Sequence, residues 1–141
     1  MKGKGFFNSL MVFLLLFGSL SCTSREKQAE KHFRAGFEYQ DRGNLDKAIE
    51  EYQQALRLKA DYLEVYMNMG TVYLEKKDYD QAIQQFKRVV ELSYYYGKAH
   101  YDLGMVYLYQ GDKEKAEEEL KALKSMGSGL ADNLERKITE K

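Results

Sequence analysis

Apolar residues recur at helical spacing along most of the chain, in short stretches separated by charged breaks. In the central part the pattern runs from Tyr66 to Tyr73 and again from Ala82 to Val90. Apolar positions three and four apart fall on one face of an α-helix, so each stretch predicts an amphipathic helix. The break between them, Lys76-Lys77-Asp78, has the length of a turn. The pattern therefore predicts pairs of amphipathic helices.

This helix pair repeats at an interval of 34 residues. The residues that keep the interval are small or aromatic: Gly36, Gly70 and Gly104; Tyr39, Tyr73 and Tyr107; and Ala48, Ala82 and Ala116. We predict three units, over residues 29–62, 63–96 and 97–130. A glycine inside a helix costs about 1 kcal/mol relative to alanine, so we expect a neighbouring backbone to approach each glycine closely, with the alanines as its small partners.

One more amphipathic stretch follows the third unit, over residues 131–141. Leu134 falls in the register of Tyr66, and Ile138 falls in the register of the repeated glycines. The stretch also has a charged outer face, which includes Glu135 and Arg136. An apolar edge with a charged outer face is what a terminal capping helix requires.

The spacing and the residue types resemble the tetratricopeptide repeat, whose period is 34 residues. The central unit carries the matching residues Tyr66, Met69, Gly70, Tyr73, Ala82, Phe86 and Val89; the first carries His32, Ala35, Gly36, Tyr39, Ala48, Tyr52 and Ala55; and the third carries His100, Leu103, Gly104, Tyr107, Ala116, Leu120 and Leu123. The resemblance implies an all-α fold, a right-handed superhelical stack of three helix-turn-helix repeats plus a C-terminal capping helix.

The turns inside and between units have their own residue pattern. Within units, Gly43 and Gly111 suit the left-handed residue that ends a helix, and Lys77 replaces that glycine in the second unit. Asn44, Asp78 and Asp112 suit the cap of the following helix. The proline that the family places near the end of each unit is replaced by Ala60, Tyr94 and Ser128. We therefore expect the turns between units to be less sharply set than usual.

Residues 1–21 have the pattern of an export signal. Lys2 and Lys4 give a positive start, Leu10 to Phe17 is an apolar run, and small residues precede Cys22. The apolar run is too short for an ordinary membrane span, which needs about 20 residues. We predict a cleaved signal peptide, with an uncleaved N-terminal anchor as an alternative.

Cys22, the only cysteine of the chain, stands where the apolar run ends. A leucine and small residues before a cysteine resemble the bacterial lipoprotein processing motif, although Leu20 stands two residues before the cysteine and Ser19 holds the usual leucine place. The resemblance implies lipidation of Cys22, and Thr23 after it implies the outer membrane. Ordinary secretory cleavage after Ser21 stays open. Residues 22–28 then form a lipidated start and a polar tether that reaches at most about 20 Å when extended.

Composition argues against several classes of function. Lys plus Arg and Asp plus Glu each number 22, so no net charge or basic face supports nucleic-acid binding. A single cysteine excludes an intramolecular disulfide and a cysteine-based metal site. His32 and His100 lie two repeats apart and cannot share a metal ion. No catalytic motif is visible, so we expect no enzyme activity, no metal and no cofactor.

In tetratricopeptide repeats the first helices of the units line a concave face, and the resemblance places the partner site there. The implied groove residues are Phe33, Arg34, Phe37, Asp41, Met67, Asn68, Thr71, Leu74, Glu75, Lys98, Tyr101, Asp102, Met105, Leu108 and Tyr109. Receptors of the family that clamp a terminal carboxylate use Lys and Asn there. Asn68 matches one clamp place, but Phe33 and Phe37 occupy two others, so we do not expect that clamp.

Two alternatives bear on these apolar residues. Phe33, Phe37, Met105 and Leu108 either form the groove or simply contact the neighbouring unit as core. The exposed run Tyr94-Tyr95-Tyr96 is either a second aromatic site or packing between units.

The sequence thus predicts an exported adaptor at the periplasmic face of the outer membrane of a bacterium. It would bind an apolar segment of a partner protein in the groove, as an amphipathic helix or an extended peptide. By analogy with envelope lipoproteins of this repeat family, the role would be in the assembly of an envelope, secretion or pilus complex. Self-association and, as a more remote alternative, an envelope enzyme stay open.

Overall fold

The computed structural model describes the backbone of residues 6–140 and the side chains of residues 23–140. Residues 6–140 form seven helices and contain no strand: α1 (Phe6–Asp41), α2 (Leu45–Leu58), α3 (Leu63–Glu75), α4 (Tyr79–Leu92), α5 (Gly97–Tyr109), α6 (Lys113–Ser125) and α7 (Leu130–Thr139). This confirms the predicted fold class, an all-α superhelical stack of helix-turn-helix repeats with a terminal helix.

The helices pack in the order in which they follow one another in the chain. The pairs α1–α2, α3–α4 and α5–α6 make the tightest associations, and α7 packs against both α5 and α6. Helix α3 begins at Leu63 and α5 at Gly97, where the second and third units were predicted to begin. The first helices also meet one another, since α1 contacts α3 and α5 contacts α7.

Two adjoining clusters of buried side chains hold the stack together. One surrounds Tyr52, Val65 and Val72, and the other surrounds Phe86 and Leu134. Large side chains in such an interior contribute most of the stabilisation, at about 1.5–3 kcal/mol for each one fully removed from water. The half-buried Tyr73 packs against both clusters and so joins them.

The close approach at the three repeated glycines differs from the predicted one. A Cβ added to Gly36 would lie 2.5 Å from Cε1 of Tyr52, and one added to Gly70 would lie 2.4 Å from Cε1 of Phe86. Neighbouring rings, rather than a backbone with a small alanine, therefore occupy the space that these glycines leave. Ala48 and Ala82, fully buried, stand one helical turn before the rings.

In the third unit, a residue from outside the unit occupies the space beside the repeated glycine. A Cβ on Gly104 would lie 2.6 Å from Cδ2 of Leu134, which belongs to α7. Leu120 occupies the register of Tyr52 and Phe86 but is shorter than an aromatic ring. The terminal helix supplies the missing bulk, which explains why α7 packs against α5.

The turns inside the units follow the predicted pattern. Gly43 and Gly111 have φ of 73° and 79°, and Lys77 has φ of 60° at the corresponding place in the second unit. Within the described residues Lys77 is the only residue other than glycine with positive φ. The following residues cap the next helices: the side chains of Asn44, Asp78 and Asp112 accept hydrogen bonds from the backbone N–H groups of Lys47, Gln81 and Lys115.

The turns between units are held by side chains instead of by proline. The Tyr66 hydroxyl donates to the Ala60 carbonyl at 3.0 Å. His100 stands one repeat later and donates from Nε2 to the Tyr94 carbonyl, also at 3.0 Å. Ala60 and Tyr94 are two of the places where the family has proline, so a hydrogen bond from the first helix fixes each of these turns.

The N-terminal part of the repeat domain is more helical than predicted. Residues 23–28, expected to form a tether reaching about 20 Å, continue α1 as exposed helical turns, in which six residues rise only about 9 Å. The predicted signal peptide, residues 1–21, and the Cys22 side chain lie outside the residues whose side chains are described. In the part that is described, no helix is both long enough and apolar enough to cross a membrane.

Candidate binding groove

The first helices of the first two units form an apolar cleft at the predicted groove. The cleft has a volume of about 460 Å³ and is lined by Glu30, Phe33, Arg34, Phe37, Glu38 and Asn68. Four of these residues, Phe33, Arg34, Phe37 and Asn68, were predicted as groove residues. The structure therefore brings together predicted residues of α1 and α3 that are 31–35 positions apart in the sequence.

The two phenylalanines of the cleft differ in what they contact. Phe33 is half-buried, with its ring centroid 5.2 Å from that of Tyr62 and 6.1 Å from that of Tyr52. It therefore serves as part of the core and presents only one side to the cleft. Phe37 is 56% exposed and is one of four large hydrophobic residues with such exposure in the described chain. An exposed ring beside an apolar cleft is typical of a partner site.

A chain of hydrogen bonds runs behind the cleft and joins three helices. The Tyr52 hydroxyl of α2 donates to Gln40 Oε1 of α1 at 2.9 Å. Gln40 Nε2 in turn donates to Glu75 Oε1 at 3.0 Å. Burial raises the pKa of Tyr52 to about 12, so the hydroxyl keeps its proton and remains a donor at neutral pH. The network fixes the orientation of Glu75, a predicted groove residue.

Helix α3 presents less to the groove than was predicted. Met67 is only 8% exposed and packs in the core, so it offers little surface to a partner, and its place in the groove stays a prediction. Met67 lies in the central unit, with neighbouring units on both sides, whereas Phe33 holds the same register in the first. Leu74 is half-buried against the same core, and the Thr71 hydroxyl donates to the Met67 carbonyl.

Helix α5 contributes a buried charge and an exposed ring. Lys98 Nζ donates to both carboxylate oxygens of Asp102 at 2.9 Å. Asp102 is only 9% exposed, and its burial raises its pKa although Lys98 opposes the shift. A carboxylate covered in this way offers little surface to a partner, so the groove role of Asp102 also stays a prediction. Tyr109 is 58% exposed and stacks on Tyr79 with a centroid distance of 6.0 Å.

The remaining predicted residues of α5 have intermediate burial. Tyr101, Met105 and Leu108 pack against the core and keep part of their surface in solvent. They extend the apolar surface of the first helices beyond the cleft between α1 and α3.

The charged residues of the groove are mostly paired with one another. Arg34 is bound to Glu30 at 2.8 Å, and Lys98 to Asp102. Glu30 also accepts a hydrogen bond from the Tyr62 hydroxyl, which is the main cause of the lowered pKa of this carboxyl. Among the described residues, Asp41 makes no ion pair and Glu75 is held only by the Gln40 amide.

The two histidines each bind a carboxylate of the second helix in their own unit. His32 Nδ1 lies 2.7 Å from Glu51 Oε2, and His100 Nδ1 lies 2.6 Å from Glu119 Oε2. Because the Tyr94 carbonyl can only accept, His100 Nε2 is the donor in that hydrogen bond. Burial raises the pKa of Glu119. These pairs tie the two helices of a unit together.

Sequence reasoning did not identify the histidine pairs, although a signal was present. Glu51 and Glu119 lie at the same distance after their histidines, and the buried Gln85 holds the same register in the second unit. Within residues 23–140 no group of three or more His, Cys, Asp or Glu side chains is placed to hold a metal ion.

The aromatic run between the second and third units is partly exposed. Tyr95 is 82% exposed and Tyr94 is 49% exposed, with their rings edge to face at 5.4 Å. The Tyr94 ring also lies edge to face on His100 at 5.3 Å. Tyr96 is half-buried and precedes α5. Tyr94 and Tyr96 are therefore used in packing, and Tyr95 is free of the core.

A second, larger depression lies along α1 and is mostly charged. Its volume is about 920 Å³, and it is lined by Thr23, Glu26, Lys27, Glu30, Lys31, Arg34, Ala35, Glu38, Lys59 and Tyr62. Its charged lining makes it a poorer site for an apolar segment than the cleft beside Phe37.

Comparisons with known proteins agree with this geometry. Residues 36–77 match the family described as TPR repeat, and residues 61–123 match the family described as Tetratricopeptide repeat. No match is found among the curated proteins. The two family matches overlap, so tetratricopeptide repeats are detected continuously over residues 36–123.

Several solved structures share the fold. The N-terminal domain of stress-induced protein-1 (STI-1) from C. elegans is 19% identical, with a TM-score of 0.74 over 82% of this chain and 98% of that one. The first TPR of Spaghetti (RPAP3), bound to HSP90 peptide SRMEEVD, is 22% identical, with a TM-score of 0.72 over 81% and 92%. The TPR2B-domain:pHsp70-complex of yeast Sti1 is 16% identical, with a TM-score of 0.70 over 78% and 92%.

Tetratricopeptide domains are generally protein–protein interaction modules, and the fold is generally non-catalytic. The detected repeats, the close contacts at Gly36 and Gly70 and the shared fold lead to one conclusion. Residues 36–123 of this chain carry tetratricopeptide repeats, in the fold that these solved structures share.

Proposed function

We propose that this protein is a non-enzymatic adaptor that holds an apolar segment of a partner protein against the cleft beside Phe37. The observation that carries the proposal is the exposed Phe37 ring, which lies beside Phe33 and Asn68 in a cleft of about 460 Å³. Because the side chain is 56% exposed, burying the rest of it against a partner gains about half of the roughly 1.5–3 kcal/mol that full burial gives. The segment is an amphipathic helix or an extended peptide.

The chemistry of the cleft supports an apolar segment over an acidic tail. Spaghetti (RPAP3) has been solved with HSP90 peptide SRMEEVD, which contains three carboxylate side chains. In this chain the cleft carries rings at Phe33 and Phe37, and its one cation, Arg34, is already bound to Glu30. A partner that gains from burying apolar surface fits these residues better.

The proposal is tested by photocrosslinking in cells that make the protein. A photoreactive amino acid at position 37 is compared with the same group at position 53, where Gln53 is exposed on α2. The crosslinked peptide is then sequenced, and the captured protein is purified to measure its binding.

We expect position 37 to capture an apolar segment of one partner that position 53 does not capture. Identical products from both positions would contradict the proposal. Capture of a second copy of this chain from position 37 would replace partner binding by self-association.

We further propose that the protein is exported, that a lipid-modified Cys22 anchors it at the periplasmic face of the outer membrane, and that it serves there in assembling an envelope, secretion or pilus complex. The support comes from the sequence alone, in the positive start, the apolar run and the cysteine that follows it. Two or more acyl chains would give stable anchoring. Mass analysis of the N-terminal peptide tests this: a peptide that begins at an unmodified Cys22, or an intact Met1, would contradict it.

A further inference from the structure

The groove has an uncompensated negative charge at one end, and this restricts the partner. Of the predicted groove residues, the cations are Arg34 and Lys98, and each is bound to a carboxylate of this chain. Among the groove acids, Asp102 is buried with Lys98, which leaves Asp41 and Glu75. Both are exposed, and neither forms an ion pair within the described residues.

Asp41 and Glu75 occupy equivalent places in successive units. Asp41 is the last residue of α1, and Glu75 is the last residue of α3. Gln40, the neighbour of Asp41, donates to Glu75 Oε1 at 3.0 Å, so the ends of the two helices lie together. The C-terminal end of a helix carries a partial negative charge, which adds to the two carboxylates.

The cations that directly follow these two carboxylates in the chain are paired with other acids. Arg42 is bound to Glu38 and Lys76 to Asp46. Lys77 lines a separate depression together with Asp78 and Asp80. The carboxylates at the ends of α1 and α3 are therefore the charges available to a partner that follows the groove.

The cleft beside Phe37 lies on the same two helices. Phe37 is one helical turn before Asp41, and Asn68 is about two turns before Glu75. One short segment can therefore place an apolar side chain in the cleft and a basic side chain at the helix ends.

We infer that the partner segment carries a lysine or arginine beside its apolar residues, and that this cation binds Asp41 and Glu75 while the apolar part fills the cleft. The inference rests on the proposed function and narrows it to basic apolar segments. The groove of this chain would therefore prefer a positively charged segment, whereas the peptide SRMEEVD bound to Spaghetti (RPAP3) is acidic.

The test uses the purified full-length protein and three fluorescent peptides that share one apolar core of leucine and phenylalanine. The flanking residues are lysine in one peptide, glutamine in the second and glutamate in the third. Fluorescence anisotropy gives the affinity of each peptide at low and at raised salt. The protein variants are Asp41→Asn with Glu75→Gln, Phe37→Ala, and a control with Glu117→Gln and Glu118→Gln on the exposed face of α6.

We expect the lysine peptide to bind most tightly and the glutamate peptide most weakly, with the difference shrinking as salt screens the charges. The Asp41→Asn, Glu75→Gln variant should weaken the lysine peptide about two- to tenfold and leave the glutamine peptide unchanged. The α6 control should change neither affinity. The Glu75→Gln substitution keeps a side-chain oxygen that accepts from Gln40, so the variant retains the local hydrogen bond.

The outcomes separate this inference from the proposed function. The inference fails, while groove binding stands, if the glutamate peptide binds as tightly as the lysine peptide. It also fails if the Asp41→Asn, Glu75→Gln variant binds the lysine peptide as tightly as the α6 control does. If Phe37→Ala leaves every peptide unchanged, or no peptide binds, the proposed function fails and the inference fails with it.

Discussion

The ring of Phe86 lies directly against the backbone of Gly70, so that a Cβ at residue 70 would be 2.4 Å from Cε1 of the ring. This contact joins α3 to α4 inside the second unit. The same contact joins Gly36 to Tyr52 in the first unit. A side chain as small as alanine does not fit at either glycine without displacing a ring that is fully buried.

Gly70→Ala should therefore destabilise the protein by up to about 2 kcal/mol net, because overpacking a well-packed interior costs about 1–3 kcal/mol. The cost outweighs the gain in helix propensity of about 1 kcal/mol. Urea unfolding followed by circular dichroism measures the change. Gly129→Ala is the matched control, since nothing lies within 4 Å of its Cβ position and its φ is −61°.

A second variant tests whether the ring is the cause. Phe86→Leu in the Gly70→Ala background removes the atoms nearest the new Cβ, so Gly70→Ala should cost less there than in the wild-type protein. Equal costs in both backgrounds would show that Phe86 does not set the requirement for glycine.

Lys77→Gly should stabilise the protein by about 0.5–1 kcal/mol, because Lys77 has φ of 60°, where a Cβ is strained and glycine is not. Lys77→Ala keeps the Cβ and removes the charge, and it should not stabilise. Chemical unfolding of both variants separates the backbone effect from the charge effect. A gain in Lys77→Ala equal to that in Lys77→Gly would assign the strain to the lysine side chain instead.

Asp102→Asn should change how stability depends on pH. Burial raises the pKa of Asp102 in the folded protein, so the folded state favours the protonated form more than the unfolded chain does. The wild-type protein therefore loses stability as the pH rises from below the ordinary value of 3.8 through the raised pKa, because the unfolded state ionises first. Asparagine does not ionise, so the decrease in stability with rising pH that Asp102 causes should be absent in the variant.

The measurement is the free energy of unfolding at pH values from about 3 to about 7, compared with the wild-type protein. The variant should gain stability relative to the wild-type as pH rises through this range. Asp61→Asn, at an exposed turn, is the control. If Asp102→Asn instead loses stability relative to the wild-type as pH rises, the ion pair with Lys98 outweighs the burial of the carboxylate.

Most of the fold could be predicted from the sequence because the repeat interval and the helix caps are visible in short stretches of residues. The interval between Gly36 and Gly70 located the second unit, and Asn44 and Asp78 marked the starts of second helices through their caps. What the pattern could not supply was the partner of each glycine, because that partner depends on side-chain volume in another helix. Gly104 shows this most plainly, since its space is filled by Leu134 of α7.

The groove was harder to predict for a related reason. Phe33 and Met67 share one register, yet the first is half-exposed and the second is buried, because the central unit has neighbours on both sides. Asp102 likewise has the pattern of a polar groove residue in the sequence, whereas packing covers it. Register identifies the helix face, but the number of neighbouring units decides how much of that face reaches solvent.

The most direct test of the binding account compares two exposed aromatic residues against the partner identified by crosslinking. Phe37 lies in the cleft with 56% exposure, and Tyr95 lies outside it with 82% exposure, so general loss of surface apolarity affects both. Isothermal titration calorimetry of the Phe37→Ala and Tyr95→Ala variants gives the partner affinity of each. The account predicts that Phe37→Ala weakens binding at least about tenfold while Tyr95→Ala leaves it unchanged. Loss of binding in Tyr95→Ala with wild-type affinity in Phe37→Ala would contradict it.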